Sequence, residues 1–267
     1  MPLPNKTALK LSAARMTVGK KAPYWSRAIR ALVPQELPGL GTMAVTERGV
    51  LCYDPAFVDS QPVKHLATVL VHESLHVVFH HHRRGRAIKN LDPKTWNIAT
   101  DLEINDGLAA SGWDMGHAIL PSQYGLPDGL VAEDYYHRLI AQKAPPPPAP
   151  LPMGGWDGSG GGHAVPGEPQ HVPQDPNAPT QTSNGAAAPG PPPMPQGKSQ
   201  TDLDQLATQV AMAVKASGSE RGRFRRWADE ATAPAKVRWQ DKLSKTCRVI
   251  AARKRGYGKV TLLNLRL

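Results

Sequence analysis

An H-E-x-x-H pattern, His72-Glu-Ser-Leu-His76, lies in an apolar segment of helical periodicity and constrains the fold more than any other stretch. On a helix, two histidines four residues apart stand on one face, one turn above the other. Their imidazoles can then bind one metal ion, while Glu73, turned about 100° from His72, points to the water side of that ion. Two nitrogen ligands and a carboxylate base form the core of a zinc hydrolase. The sequence therefore predicts a zinc ion bound by His72 and His76, with Glu73 as the general base.

The residues around this pattern predict a helix that packs by one face. Its apolar positions recur mostly at steps of three and four. Ser60 is a suitable N-cap, and Pro62 is tolerated in the first turn. We expect the helix to end near Arg84-Gly85, where histidines and arginines favour the C-terminal end of the helix dipole.

Catalytic zinc usually takes three protein ligands and one water, so the pattern needs a further ligand. His82 has the metzincin spacing from His76, but the turn of that pattern needs glycine where Phe79 stands. On a continuing helix, His82 would face away from His76. His80 is one further turn along the histidine face, but three histidines at i, i+4 and i+8 span ~12 Å, too far for one ion. Neither residue is therefore the favoured third ligand.

A carboxylate from the following helix is the favoured third ligand. Asp92-Pro93 is a strong helix start, and the helix is predicted to run to about Ala110. Asn97, Asp101 and Asn105 fall at i, i+4 and i+8 on it and form one polar face, which implies a polar group opposite. We predict Asp101 as the third ligand and Asn97 or Asn105 as the residue that orients a ligand imidazole. An exposed polar face is the alternative interpretation.

Two short strand patterns before the metal helix predict a β-hairpin. They cover residues 42–46 and 50–53 and flank Glu47-Arg48-Gly49, where Gly49 falls at the position that favours a left-handed residue. A strand edge beside a zinc-peptidase site commonly holds an extended substrate through main-chain hydrogen bonds. A hairpin with a purely structural role is an equal alternative.

The remaining pattern predicts an α+β fold that is mainly helical, with a small β-hairpin or sheet. Apolar spacing predicts further helices at 6–18, 23–32, 130–142, about 201–214, 220–231 and 237–252, and a short strand at 260–265.

The composition changes sharply between residues 144 and 198. Sixteen of the 27 prolines lie there, and glycine, alanine and small polar residues make up most of the rest, so this segment cannot bury enough apolar surface to fold. We predict a metal-binding domain at 1–143, a disordered Pro/Gly-rich linker at 144–198 and a basic helical C-terminal segment at 199–267.

The positive charge of the chain is concentrated at its C-terminal end. Of a net +10, residues 221–267 carry +11, from fourteen lysines and arginines against three acidic residues. Near Phe224 and Trp227 the sequence has three arginines, Arg223, Arg225 and Arg226, so stacking on nucleic-acid bases is one interpretation. A helix with a solvated basic face is the favoured one, and nucleic acid remains the weaker alternative partner.

The sequence contains no signal for export or for a membrane. No apolar run approaches the ~20 residues that span a bilayer, and the N-terminal residues lack an apolar core of signal-peptide length. The two cysteines, Cys52 and Cys247, lie far apart, which argues against a disulfide framework. We therefore expect a cytoplasmic protein without membrane contact.

Two linked segments resemble a metallopeptidase domain family of bacterial and phage proteins. They are His72-Glu-Ser-Leu-His76 with the following His80-His-His-Arg83, and Trp96-Asn-Ile-Ala-Thr-Asp101-Leu-Glu-Ile-Asn105. The likeness covers about residues 10–140. It implies a zincin-type fold, a zinc ion and peptidase activity on a protein or peptide substrate, and it supports Asp101 as the third ligand.

In longer members of that family, the domain precedes a von Willebrand factor A-like domain. This chain ends at Leu267, without room for such a domain. We therefore expect the recognition that the downstream domain would supply to be missing or to come from a separate protein partner.

The leading prediction is a zinc-dependent endopeptidase in which Glu73 takes a proton from metal-activated water and passes it to the leaving amine. The oxyanion stabiliser is open among His117, Tyr124 and Tyr135. The alternative is a non-catalytic interaction protein whose zinc site is structural or vestigial.

Overall fold

The structure is a computed structural model, and it describes residues 5–142, 194–220 and 222–234. Most of the predicted linker, the helix predicted at 237–252, the strand at 260–265 and Cys247 lie outside the described residues. All helices and strands named below belong to one compact unit, Met1–Thr232.

The first part of the chain forms four α-helices, three strands and a short 3₁₀ turn, Pro23–Trp25. They are α1 Lys6–Lys21, α2 Ser26–Ala31, β1 Val33–Glu36, β2 Met43–Val45, β3 Val50–Tyr53, α3 Pro55–Ser60 and α4 Val63–Val78.

The rest of the described chain adds five α-helices and a 3₁₀ turn at Pro121–Tyr124. The helices are α5 His81–Arg86, α6 Pro93–Ala110, α7 Ala132–Gln142, α8 Gln200–Ser217 and α9 Gly222–Ala231. The predicted mainly helical α+β fold is confirmed.

The three strands form one sheet in the order β1-β3-β2, with β2 antiparallel and β1 parallel to β3. The predicted hairpin is therefore confirmed, and Gly49 has the left-handed φ of 75° that its loop needs. Strand β1 was not predicted, because Pro34 reads as a breaker. Proline is tolerated there because β1 is an edge strand, and the Val33 N–H bonds to the Gly49 carbonyl, which leaves the nitrogen of Pro34 facing away from β3.

Helix α4 is the centre of the fold. Every residue from His65 to Val78 is buried, and α4 packs against α1, α2, α6, α8 and β2. The predicted single packing face was therefore too narrow, because α4 is covered on every side.

Both predicted ends of α4 were wrong. Ser60 does not cap it, because α3 ends at Ser60, whose hydroxyl donates to the Phe57 carbonyl, and α4 begins after Pro62. At the other end α4 stops at Val78 rather than near Arg84-Gly85. The predicted start of α6 is confirmed, since the Asp92 side chain accepts a hydrogen bond from the Thr95 N–H.

Helices α8 and α9 pack into the same core as α4. The Phe224 ring lies 5.2 Å from the Trp25 ring, and the Trp227 ring lies 4.8 Å from the Phe79 ring. Because both rings are buried, neither is available to stack on nucleic-acid bases, which corrects the suggestion made from the sequence. The predicted domain boundaries at 143 and 198 stay a prediction.

None of the described helices combines the length and the apolar character that a membrane crossing needs.

Replacing Gly107 by alanine tests the close approach of α6 and α9. A Cβ there would lie 2.5 Å from Cε1 of Phe224, a fully buried ring. Although alanine is the better helix former, we expect Gly107→Ala to lower the free energy of unfolding by about 1–3 kcal/mol. The matched control is Gly19→Ala, at an exposed position in α1 where a new Cβ meets nothing closer than 3.7 Å. That variant should gain up to about 1 kcal/mol. Denaturant unfolding measures both, and a stabilised Gly107→Ala would contradict the packing.

Candidate metal centre

Helices α4 and α6 bring three predicted ligands together in the core. The Nε2 atoms of His72 and His76 are 2.9 Å apart. Oδ1 of Asp101 lies 3.4 Å from the first and 3.2 Å from the second. The three side chains are only 0–5% exposed. Three potential ligand atoms thus form a small buried triangle.

The size of this triangle fits a tetrahedral metal ion. Bonds of about 2.0–2.1 Å to zinc place neighbouring ligand atoms about 3.3 Å apart, close to the three distances here. Oδ1 of Asp101 is buried without a hydrogen-bond partner, which is costly for a carboxylate unless a cation faces it. Among the described residues, this is the one group of three or more His, Cys, Asp or Glu side chains arranged to hold a metal ion.

The imidazole of His72 is oriented by Asn105. Nδ1 of His72 lies 3.0 Å from Oδ1 of Asn105, whose own amide nitrogen donates to the Ile119 carbonyl. That second bond fixes the amide so that its oxygen faces the ring. Nδ1 therefore carries the hydrogen, and Nε2 faces the triangle. The other candidate, Asn97, is buried, and its Oδ1 has no hydrogen-bond partner among the described residues.

His76 is oriented by a residue that the sequence did not identify, His81. The two Nδ1 atoms are 3.0 Å apart, and Nε2 of His81 lies 3.2 Å from Oε2 of Glu103. Because the carboxylate only accepts, Nε2 of His81 carries its hydrogen, and Nδ1 accepts from Nδ1–H of His76. This leaves Nε2 of His76 available as a ligand atom. In the sequence, Glu103 could have been recognised as an acidic residue on the apolar side of a buried helix.

A left-handed backbone conformation at His80 brings His81 into contact with His76. Helix α4 stops at Val78, and His80 follows with φ 57° and ψ 37°. On a continuing helix, His81 would face about 140° away from His76. The turn at His80 instead returns the chain to the back of His76. His80 and His82 lie outside the ligand triangle, and Nε2 of His80 lies 3.3 Å from Asp204.

The carboxyl group of Glu73 lies between the metal centre and the sheet. It is buried and accepts the backbone N–H of Val45, and its Oε2 has no hydrogen-bond partner. In β2, residues 42 and 46 bond to β3, so Val45 presents its N–H on the outer edge of the sheet. The predicted base thus bonds to the outer edge of β2, whose three residues are all buried.

Burial and mutual contact set the protonation of these groups. Burial raises the pKa of Glu73 to about 8, with a contribution from the charge of Asp101. Burial lowers the pKa of His76 to about 4 and that of His81 to about 3. Although burial opposes it, contact with the two imidazoles holds the pKa of Asp101 well below its usual range. The pKa of His72 is raised, because contact with Asp101 outweighs its burial. Asp101 and His76 are therefore in the deprotonated forms that bind metal.

Comparison with known proteins agrees with this geometry. The sequence matches the family described as "Putative metallopeptidase domain" over residues 6–259. The chain belongs to this family. The resemblance stated from the two linked segments is thereby confirmed.

The chain is similar to an uncharacterized protein of Thermotoga maritima, with 27% identity over 153 residues. The match covers 50% of the present chain but 38% of the Thermotoga protein. No solved structure matches the chain.

Of the three candidate oxyanion stabilisers, Tyr124 is the one whose electrostatics involve the metal centre. Its hydroxyl is buried without a hydrogen-bond partner among the described residues, and burial together with the charge of Asp101 raises its pKa. The Tyr135 hydroxyl donates to the Pro127 carbonyl instead, and His117 is exposed.

The buried carboxyl of Glu73 predicts a pH-dependent stability of the metal-free protein. Unfolding lowers the pKa from about 8 to its ordinary 4.5, so between these values the folded state binds more protons. Stability therefore falls as pH rises, by at most about 1.4 kcal/mol per pH unit. Glu73→Gln removes the titrating group, so its stability relative to wild type should increase steadily from about pH 5 to about pH 8.

Urea unfolding of both metal-free proteins at several pH values measures this difference. A difference that is independent of pH, or that shrinks with rising pH, would contradict a raised pKa at Glu73.

Proposed function

We propose that the chain is a zinc-dependent peptidase. The observation that carries the proposal is the buried triangle of His72, His76 and Asp101, at the spacing of tetrahedral ligands, with the carboxyl of Glu73 beside it. Membership of a family described as a metallopeptidase domain supports it. The nitrogen and oxygen donor set suits zinc.

A bound zinc ion would supply Lewis acidity and lower the pKa of a bound water. Binding of the ion and proton transfer would be the roles of the chain's own residues. His72 and His76 would hold the ion by Nε2 and Asp101 by Oδ1. Glu73, whose carboxyl lies beside the triangle, would take a proton from the attacking water and give it to the leaving amine.

The outer edge of β2 would align the substrate. The Val45 N–H faces away from β3 and bonds to Glu73, so an extended peptide that pairs with this edge would replace that bond and lie beside the candidate base. Main-chain pairing binds many sequences, which fits an enzyme whose specificity comes from elsewhere. The ligand side chains are 0–5% exposed. Substrate entry would therefore require movement of residues around the site, and Ile119 and Tyr124, in the segment between α6 and α7, lie near it.

Three variants test the role of each group. Glu73→Gln should keep one zinc ion per chain but lose cleavage of a dye-quenched unfolded casein by more than about 100-fold, because only the proton transfer is removed. His76→Ala and Asp101→Ala should lose both metal and cleavage. Metal analysis and the fluorescence assay measure these outcomes.

The control is Arg225→Met on α9, a half-exposed residue that pairs with Asp229 and should change neither quantity. Normal cleavage by Glu73→Gln, or a wild type without bound zinc, would refute the proposal.

The burial of the site favours a second candidate function, a zinc ion that only stabilises an interaction protein. In that case, chelation would lower the thermal midpoint strongly, and the zinc-loaded chain would cleave neither casein nor a mixed peptide library. Cleavage by wild type that is lost in Glu73→Gln would exclude this alternative.

A further inference from the structure

We propose that Glu103 and Arg223 are positioning residues that act through His81 to hold His76 in the form that binds metal. The inference rests on the proposed metal centre, and it extends the centre to α9, which lies about 120 residues further along the chain. Neither residue contacts the ligand triangle, so their effect passes through hydrogen bonds.

Glu103 is fully buried and surrounded by donors. Oε2 accepts from Nε2 of His81 at 3.2 Å, Nη2 of Arg84 at 2.9 Å and the Ala132 N–H at 2.9 Å. Oε1 accepts from Nε and Nη2 of Arg223 at 2.8 and 2.5 Å. Contacts from α5, from α9 and from the first residue of α7 therefore fix both oxygens, so the plane of the carboxylate cannot rotate away from His81.

This carboxylate decides which nitrogen of each imidazole carries hydrogen. Because Glu103 accepts, His81 keeps its hydrogen on Nε2 and offers the lone pair of Nδ1 to His76. His76 then keeps its hydrogen on Nδ1, and Nε2 is free for metal. If His81 were no longer held by Glu103, it could carry hydrogen on Nδ1, which would push the hydrogen of His76 onto Nε2 and block the ligand atom.

Arg223 fixes the far side of Glu103. Its side chain is 4% exposed, and both of its contacts to Glu103 go to the same oxygen. The ring of Phe224 next to it packs against Gly107 on α6, which sets the distance between the two helices. A guanidinium at this depth is stable only with a paired carboxylate. Arg223 therefore has a specific role in the network, whereas Arg225 and Arg226 reach the surface of the same helix.

The test measures zinc affinity of the full chain by chelator competition and the visible spectrum of the cobalt-loaded protein. Arg223→Met and His81→Leu should each weaken zinc binding by about 10- to 100-fold. The double variant should be no weaker than His81→Leu alone, because both changes break the same path. Arg225→Met should match wild type.

A conservative replacement separates positioning from folding. In His81→Asn, the side-chain oxygen can take the place of Nδ1 and still accept from His76. We expect this variant to retain zinc affinity within about three-fold and to keep the tetrahedral cobalt spectrum, whereas His81→Leu loses both. Should Arg223→Met fail to fold by circular dichroism, the two His81 variants still decide the question.

Additive losses in the double variant, equal losses in His81→Asn and His81→Leu, or unchanged affinity in folded Arg223→Met would overturn the inference. Its failure is distinct from that of the proposed function. A wild type that binds zinc but cleaves nothing refutes only the peptidase, and a cleaving wild type whose His81→Leu variant keeps full affinity refutes only the network.

Discussion

The structure depends above all on two buried imidazoles of α4, His72 and His76, whose Nε2 atoms lie 2.9 Å apart and face one oxygen of Asp101. A neutral imidazole has one hydrogen, so each Nδ1 needs a buried acceptor. Asn105 accepts a hydrogen bond from His72, and His81 accepts one from His76. Each acceptor is held in turn, one by a backbone carbonyl and the other by Glu103. The core around α4 is therefore built as much from directed hydrogen bonds as from apolar packing.

Helix geometry explains which parts of the site could be predicted from the sequence. His72 and His76 share a face of α4, and Asp101 and Asn105 share a face of α6, because spacing and a capped start are local properties. The end of α4 could not be predicted in this way. His80 adopts a left-handed conformation, which is uncommon outside glycine, and contacts of the following His81 with distant groups stabilise it. His81 and Glu103 were missed for the same reason.

The C-terminal helices show that the number of charged residues does not predict which of them are buried. A run of arginines reads as a solvated or nucleic-acid-binding surface, yet Arg223, Phe224 and Trp227 share the buried face of α9. Their spacing of one, three and four residues is the helical signal that the charge obscured. Strand β1 was missed for a related reason, because Pro34 excludes a central strand but permits an edge strand.

The hydrogen bonds between Glu103 and Arg223 join residues 120 positions apart. Ribosomes release a chain from its N-terminal end, so α4 and α6 emerge long before α9. During that interval Glu103 lacks the two donors on one of its oxygens. Contacts of such long sequence separation also form slowly in folding. The candidate metal ligands on α4 and α6 are therefore synthesised well before Arg223, which completes the network behind them.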